Sequence, residues 1–290
     1  MATLKELKVR IGGVKGTQKI TKAMKMVASA KMRRAQERII SMRPYATKIN
    51  ELLSNLVEAA GEEADNIMEQ REVKTKLVVI ISSDRGLAGS FNTTLIRYSL
   101  NYINSLGKDT KVIVVGRKAN DSLKKKNLNI IKSYVNIFND LSLEVSNEIV
   151  SFIVEGYVNR SYDSVEIIYN QFKSVVKQET AKEQFLPLIK TGKKDAGEKK
   201  EKIVDYIYEP GAAEILKTLI PKQYRIHFWK ALLESNAAEQ AARMTAMETA
   251  TKNASDLLKI LELSYNQARQ AAITKEILEI VGGAEALKEA

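Results

Sequence analysis

The segment from Ser82 to Asn92 is the stretch whose residue types and position could bind a ligand. It follows an apolar run typical of a buried strand and precedes a helical pattern, and phosphate-binding loops occur at such places. It contains neither G-x-G-x-x-G nor G-x-x-x-x-G-K-[ST], so a nucleotide site is disfavoured. The favoured interpretation is a tight strand-to-helix turn in which Asp84 and Arg85 pair locally.

Few other groups in this chain could do chemistry. None of the 290 residues is a cysteine, which excludes disulfides, thiolate metal sites and cysteine nucleophiles. The single histidine, His227, cannot form a multi-histidine metal site, and beside Phe228 and Trp229 it is interpreted as part of a helix-packing cluster. Tyrosines and carboxylates elsewhere show no catalytic spacing. We therefore expect no catalytic residue, no metal and no cofactor.

Positive charge is concentrated near the amino terminus. The formal net charge is +11, and residues 1–50 carry thirteen Lys and Arg against two Glu, so the rest of the chain is neutral overall. Such a segment indicates an acidic partner: nucleic acid, an anionic membrane or an acidic protein surface. Lys15, Lys19 and Lys22 recur at helical spacing, as in helices that bind DNA. Interleaved Met, Val and Ala, without an aromatic or arginine-rich readout module, favour the acidic protein surface.

Long helices are predicted at both ends of the chain. Residues 223–281 contain no proline or glycine, and small or apolar residues recur there at alternating steps of four and three, the heptad pattern of a helix that packs on another helix. Residues 3–60 show a similar seam, which is interrupted by glycines and resumes after a slip at Ile20, Met24 and Val27. Because neither helix has another partner, we predict that the two form a long antiparallel coiled coil.

The end of the last helix departs from this seam. After Ala272 the apolar residues shift by one position, onto Ile273, Ile277, Ile280, Ala284 and Leu287. The first helix is shorter, so we expect this tip to extend beyond the coiled coil as a single helix.

The residues between the long helices follow an α/β pattern. Short β-branched runs predict strands at 76–82, 111–115, 129–135 and 164–169, separated by helices at 92–106, 118–125 and 143–159. Two further strand-like runs, 174–178 and 203–208, flank a polar tract at 191–202. This alternation predicts a Rossmann-like α/β domain with a mostly parallel sheet.

The predicted elements divide the chain into four parts. They are an N-terminal coiled-coil helix (1–60), a connection (61–75), an α/β domain (76–210) and a C-terminal coiled-coil helix (211–290). No run of about eighteen apolar residues and no apolar signal core occurs, so neither a membrane span nor export is expected.

Six motifs, in order along the chain, resemble those of a known protein family. They are Thr17–Ala35, Arg43–Tyr45, Ser83–Leu87, Tyr208–Pro210, Glu239–Met244 and Tyr265–Thr274. Together they closely resemble the gamma subunits of rotary (F-type) ATP synthases, and the resemblance covers essentially all 290 residues.

The resemblance implies a rotor shaft that makes and breaks no bond itself. One copy of the coiled coil would turn inside a ring of three alpha and three beta subunits, with the α/β domain against the membrane c ring and the epsilon subunit. Proton-driven rotation would then drive ATP synthesis or hydrolysis at the alpha/beta sites, and the subunit would help to regulate ATPase activity and proton flow. The implied location is the cytoplasmic side of a bacterial cell membrane, held through the complex, with no nucleic acid as partner.

The resemblance also implies two groups of contact residues. The first belongs to the coupling with the beta subunits and consists of Met24, Lys25, Glu239, Arg243, Arg269, Gln270, Thr274 and Glu276. The second lies in the foot, against the c ring and epsilon, and consists of Tyr206, Tyr208 and Glu209. Within the first group, Arg269 would offer a planar donor fork to carboxylates.

Overall fold

The computed structural model describes residues 3–61, 71–107, 109–188 and 208–286. Its helices are α1 (Leu4–Ala60), α2 (Phe91–Leu106), α3 (Arg117–Leu123), α4 (Leu143–Val158) and α5 (Ala212–Ala286), with a 3-10 turn at Ile137–Asn139. Its strands are β1 (Lys76–Ile81), β2 (Lys111–Val115), β3 (Asn129–Tyr134), β4 (Ser164–Phe172) and β5 (Gln178–Leu186). The chain forms a terminal unit, residues 1–28 with 243–290, and a central unit, residues 29–242.

The central unit contains a five-stranded sheet in the order β3-β2-β1-β4-β5. Strands β1 to β4 pair in parallel, and β4 pairs antiparallel with β5. In β1 and β2 nearly every residue is buried, which requires the continuous Val and Ile runs that these strands have. The predicted α/β domain with a mostly parallel sheet is confirmed.

Helices cover both faces of this sheet. On one face, α2 and α3 pack through residues such as Leu95 and Leu123. On the other face, α4 packs together with the parts of α1 and α5 that belong to the central unit, through residues such as Ile149, Ile39 and Phe228. The two long helices are therefore a layer of the α/β unit as well as partners of each other.

The prediction of the last strands was partly wrong. Of the run predicted at 174–178, residues 174–177 form a turn, in which Lys177 donates its backbone N–H to Ser174 Oγ at 3.1 Å. The strand that follows, Gln178–Leu186, is polar and half-exposed because it lies at a sheet edge and forms a hairpin with β4. Of the second predicted run, 203–207 lie outside the described residues.

In the terminal unit the two helices run antiparallel. The hydroxyls of Thr21 and Thr251 are 2.8 Å apart, and Lys25 Nζ lies 2.6 Å from Glu248 Oε1. In the central unit the same helices are also antiparallel, since Gln223 contacts Asn50 at 2.7 Å while Leu56 packs in a cluster with Leu216. The predicted antiparallel pairing is confirmed, and α5 is longer at both ends than the run 223–281.

The predicted slip in the first seam is wrong. Ile20 and Val27 are 62% and 57% exposed, whereas Thr21 and Ala28 are buried. The spacing of four and three instead continues unbroken from Leu7 to Ala28 through polar positions. The seam accommodates these because Thr21 Oγ donates to the Gln18 carbonyl, and Lys25 lies half-buried with its amine at Glu248.

Candidate functional site

The loop after β1 binds its own chain through Asp84. The buried Asp84 carboxylate accepts hydrogen bonds from the backbone N–H groups of Arg117 at 3.0 Å, Asn136 at 2.7 Å and Phe138 at 3.0 Å. Arg85, which was expected to pair locally with Asp84, donates to Asn139 Oδ1 at 3.1 Å. Backbone N–H groups that could cradle a phosphate are thus used by an internal carboxylate.

The crevice at the carboxyl ends of β1 and β4 is filled by α5. In sheets of this strand order, ligands bind outside the carboxyl ends, where the strand order reverses. Here Ser235 Oγ donates to the carbonyl of Ile81, the last residue of β1, at 3.5 Å. Ala238 packs beside it in a small apolar cluster with Phe91 and Phe172. The usual ligand position of a doubly wound sheet is therefore occupied by the long helix.

His227 lies in an aromatic cluster, as expected, but the cluster centres on Phe185. The Phe185 ring lies 5.7 Å from His227, 5.9 Å from Phe228 and 5.5 Å from Tyr224. His227 Nε2 also lies 2.8 Å from Glu183 Oε2. Sequence reasoning missed this contact because the two residues are 44 positions apart and Glu183 lies on the strand that was not predicted.

Glu183 belongs to a polar network between the sheet and α5. Tyr169 Oη is 2.8 Å from Glu183 Oε1 and 3.3 Å from Glu234 Oε2. Burial raises the pKa of Glu183, but hydrogen bonds from His227 and Tyr169, with the attraction of His227 and Lys230, lower that pKa to about 2. Burial is the largest effect and raises the pKa of Glu234, and the charge of Glu183 adds to it, whereas the charge of Lys230 and a hydrogen bond from Gln171 act to lower that pKa. The two carboxyl groups therefore have pKa values that differ in opposite directions from the ordinary value.

Met24 and Lys25 are half-buried in the terminal unit. Lys25 forms an ion pair with Glu248, and Lys15 forms another with Glu262 at 2.9 Å. These are surface pairs, each of which contributes at most about 1 kcal/mol to stability. Part of the basic segment is thus used within the coiled coil.

Glu239 and Arg243 are buried, at 4% and 8% exposure. Side chains as buried as these offer little surface for direct contact with a partner subunit. Their expected role, to couple the helices to a contact made elsewhere, stays a prediction.

Arg269, Gln270, Thr274 and Glu276 are all exposed on α5. Every residue from Arg269 to Ala284 is exposed, including apolar residues such as Ile273 at 48% and Ile280 at 66%. This is the tip that the slipped seam predicts to lack a coiled-coil partner. Leu287, the last member of that seam, lies outside the described residues.

The foot residues are only partly described. Tyr208 is half-buried beside the apolar cluster around Leu56 and Leu216, and Glu209 is exposed. Tyr206 lies outside the described residues. Among the described residues, no cluster of His, Cys, Asp or Glu is arranged to hold a metal ion. None of the helices in the described ranges has a stretch apolar enough to span a bilayer.

Comparisons with known proteins agree on one protein family. A family model described as ATP synthase matches residues 3–287. The chain is 48% identical to an ATP synthase gamma chain of Chloroherpeton thalassium, over 100% of this chain and 99% of that protein. It is 47% identical to an ATP synthase gamma chain of Cytophaga hutchinsonii, over 99% of each.

Solved structures show the same fold. A chain of the central stalk and c-ring structure of Tetrahymena thermophila mitochondrial ATP synthase superposes with a TM-score of 0.61 at 25% identity, over 80% of this chain and 99% of that chain. A chain from the Euglena gracilis mitochondrial ATP synthase, solved as OSCP/F1/c-ring, superposes with a TM-score of 0.71 at 21% identity, over 98% and 94% of the two chains.

Proposed function

The chain belongs to the ATP synthase gamma-chain family, and we propose that it couples rotation of a membrane c ring to the catalytic sites of an alpha3-beta3 ring. Its relatives and structural neighbours support the role of a central-stalk subunit. The observation that carries the coupling role is the exposed tip of α5, which follows directly on a helix pair with a buried seam. A single exposed helix of this kind fits the inside of a subunit ring.

The proposal includes no catalysis by this chain. The support is the filled crevice of the sheet, where α5 and Asp84 take the positions that a bound nucleotide would need. The subunit would act on ATP only by contacting different states of its neighbours with different free energies, since an effector shifts an equilibrium by its differential affinity alone.

Two kinds of residue would serve this coupling. Exposed residues would contact the beta subunits directly, as we propose for Arg269, Gln270, Thr274 and Glu276. Half-buried Met24 and Lys25 would face an acidic beta-subunit loop at the flank of the coil. Buried Glu239 and Arg243 would instead fix the geometry of α5.

The foot would join the shaft to the rotor ring. We propose that Tyr206, Tyr208 and Glu209 contact the c ring and epsilon, with the subunit present in one copy per complex. The chain would then lie at the cytoplasmic side of a bacterial membrane, attached through the complex. There it would contribute to control of ATPase activity and of proton flow.

Co-purification and a coupled assay test this proposal. We expect the chain to assemble with alpha and beta subunits as one copy per complex. A stable symmetric homo-oligomer that does not bind those subunits would overturn the proposal. In the assembled enzyme, the double variant Arg269→Glu/Gln270→Glu should lower proton-driven ATP synthesis in vesicles severalfold, because it places negative charge against carboxylates.

A matched control separates coupling from folding. The variant Lys124→Glu/Lys125→Glu also changes two exposed side chains, at the end of α3. It should leave synthesis close to that of the unmodified enzyme. If the Arg269/Gln270 variant loses thermal stability of the isolated chain in proportion to its activity, the contact role is contradicted.

A further inference from the structure

A buried tyrosine hydroxyl lies between two carboxyl groups where the sheet contacts α5. Tyr169 on β4 is fully buried, and its Oη lies 2.8 Å from Glu183 of β5 and 3.3 Å from Glu234 of α5. Glu183 Oε2 is also 2.8 Å from His227 Nε2. No residue of this network belongs to the contacts proposed above, so its role is independent of the proposed function.

The number of hydrogens in this network limits which of its groups can donate a hydrogen bond. A tyrosine hydroxyl carries one hydrogen and donates one hydrogen bond. The shorter distance assigns that hydrogen to Glu183, whose low pKa keeps it ionised. Tyr169 Oη then faces Glu234 Oε2 only as an acceptor, and two acceptors do not attract each other. A hydrogen on Glu234 is needed to make the contact favourable.

The other groups around Glu234 do not supply a hydrogen to its contact with Tyr169 Oη. Lys230, on the same helix, lies 3.9 Å from Glu234 Oε1, which is too far for a hydrogen bond. Gln171 on β4 hydrogen-bonds to the Glu234 side chain and partly compensates a charge there, and Tyr169 on β4 and the carboxylate of Glu183 on β5 also face it. The Glu234 side chain is only 11% exposed, so water compensates little of a buried negative charge.

We propose that Glu234 holds a proton at neutral pH and donates it to Tyr169 Oη, which makes the contact between α5 and the sheet dependent on that proton. The chain of donors then runs from Glu234 to Tyr169 to Glu183, and His227 donates to Glu183 from the other side. Loss of the proton at higher pH places two negative carboxylates around one hydroxyl. The network is a built-in pH-sensitive link between the long helix and the α/β unit.

The pH dependence has a definite sign. The folded state holds the Glu234 proton more tightly than the unfolded state, because the pKa is raised on folding. Stability from this group is therefore fully present below the ordinary pKa of 4.5, and it is lost as pH rises through the raised value.

Infrared spectroscopy of the full chain with isotope-labelled glutamate tests the proposal. At neutral pH the wild-type chain should show the carbonyl stretch of one protonated glutamate, which disappears on alkaline titration. Its absence at neutral pH would overturn the proposal, whether or not any variant folds.

Two variants and a control assign the proton. The band should be lost in Glu234→Gln and kept in Glu58→Gln, which changes an exposed glutamate of α1. In Tyr169→Phe the band should shift in frequency, because the acid loses its acceptor. A band that persists in Glu234→Gln, or one that is unmoved in Tyr169→Phe, would contradict the assignment.

Discussion

Asp84 shows how one side chain decides what a loop can bind. Its carboxylate satisfies three backbone N–H groups from the ends of β2 and β3, which are 33 to 54 positions away. A phosphate would compete for the same donors. The side chain therefore joins three loops at the carboxyl edge of the sheet and uses backbone donors that an anion could otherwise bind there.

Removing this carboxylate should destabilise the fold. In Asp84→Ala three backbone donors lose their acceptor, and each orphaned buried donor costs about 1–3 kcal/mol. Since water can reach some of these donors, we expect the free energy of unfolding to fall by about 3 kcal/mol in denaturant titrations. Asp121→Ala, at an exposed position of α3, serves as the control and should change it little. An unchanged value for Asp84→Ala would show that the three contacts do not stabilise the fold.

The low pKa of Glu183 predicts that the central unit loses stability in acid. Its pKa is lowered to about 2 from an ordinary 4.5, so its stabilising contribution is present above pH 4.5 and is lost as pH falls toward 2. The shift corresponds to about 3 kcal/mol, or about 2 kcal/mol after allowance for a side chain that is 30% exposed. Glu183→Gln should therefore flatten the acid limb of the stability curve, as measured by thermal unfolding at several pH values. A curve as steep as that of the wild type would exclude Glu183 as the cause.

The first helix, α1, contains three glycines that packing does not require. A Cβ added at Gly12, Gly13 or Gly16 would meet no atom within 4 Å. Each glycine costs a helix about 1 kcal/mol relative to alanine. These positions therefore weaken α1 without a packing reason in the isolated chain.

Alanine at these three positions should stabilise the isolated chain. We expect the triple variant Gly12→Ala/Gly13→Ala/Gly16→Ala to raise helicity, measured by circular dichroism, and to raise the unfolding midpoint of the terminal unit, with about 0.5–1 kcal/mol from each residue. Gly116→Ala is the contrast, because φ there is +97° and a Cβ would overlap the carbonyl of Ser82. That variant should destabilise. Loss of stability in the triple variant would mean that the glycines are needed for close helix contact.

The elements differ in how well the sequence predicts them. β1 and β2 were predicted within a residue because buried parallel strands need unbroken runs such as Val78–Ile81. β5 was missed because an edge strand can be polar, and its Glu183 and Lys182 bind groups that only the fold brings near. The false slip at Ile20 arose because apolar residues were preferred for the seam, whereas Thr21 takes the position by satisfying its hydroxyl within the coil.

For the site residues, the sequence predicted which are exposed but not which groups they contact. Spacing and resemblance indicated the tip around Arg269, and the structure leaves it exposed. The contacts of Asp84 and the network of Tyr169 could not be predicted, because their partners are 14 to 65 positions away and lie on different elements. Local sequence carries no signal for such pairs.

The long helix α5 contributes residues to both compact units. In the central unit α5 packs on the sheet and fills its ligand crevice through Ser235 and Ala238. In the terminal unit it buries a heptad seam at Met247, Ala254 and Leu258 against α1. An α/β fold that elsewhere holds ligands is here used to anchor a helix, and this supports a mechanical role for the chain.

The apolar side chains at the tip of α5 are predicted to serve coupling and not the folding of the isolated chain. Replacing Ile273, Ile277 and Ile280 together by Gln should leave the isolated chain as stable as before, within about 0.5 kcal/mol, because these side chains are 48–66% exposed and contribute little buried area. Gln is also a good helix former, so the helix should persist. In the assembled enzyme the same variant should lower coupled ATP synthesis, since an apolar tip would bear on the surrounding ring through these side chains.

The control for this variant is Lys275→Gln/Glu279→Gln, which removes an exposed ion pair on the same turns of helix. Surface pairs of this type contribute less than about 1 kcal/mol, so both stability and coupling should be retained. Thermal unfolding of the isolated chain and proton-driven synthesis in vesicles measure the two quantities separately. If the isoleucine variant unfolds earlier than the control, the tip packs within the chain; if it couples as well as the control, the apolar tip is not a bearing surface.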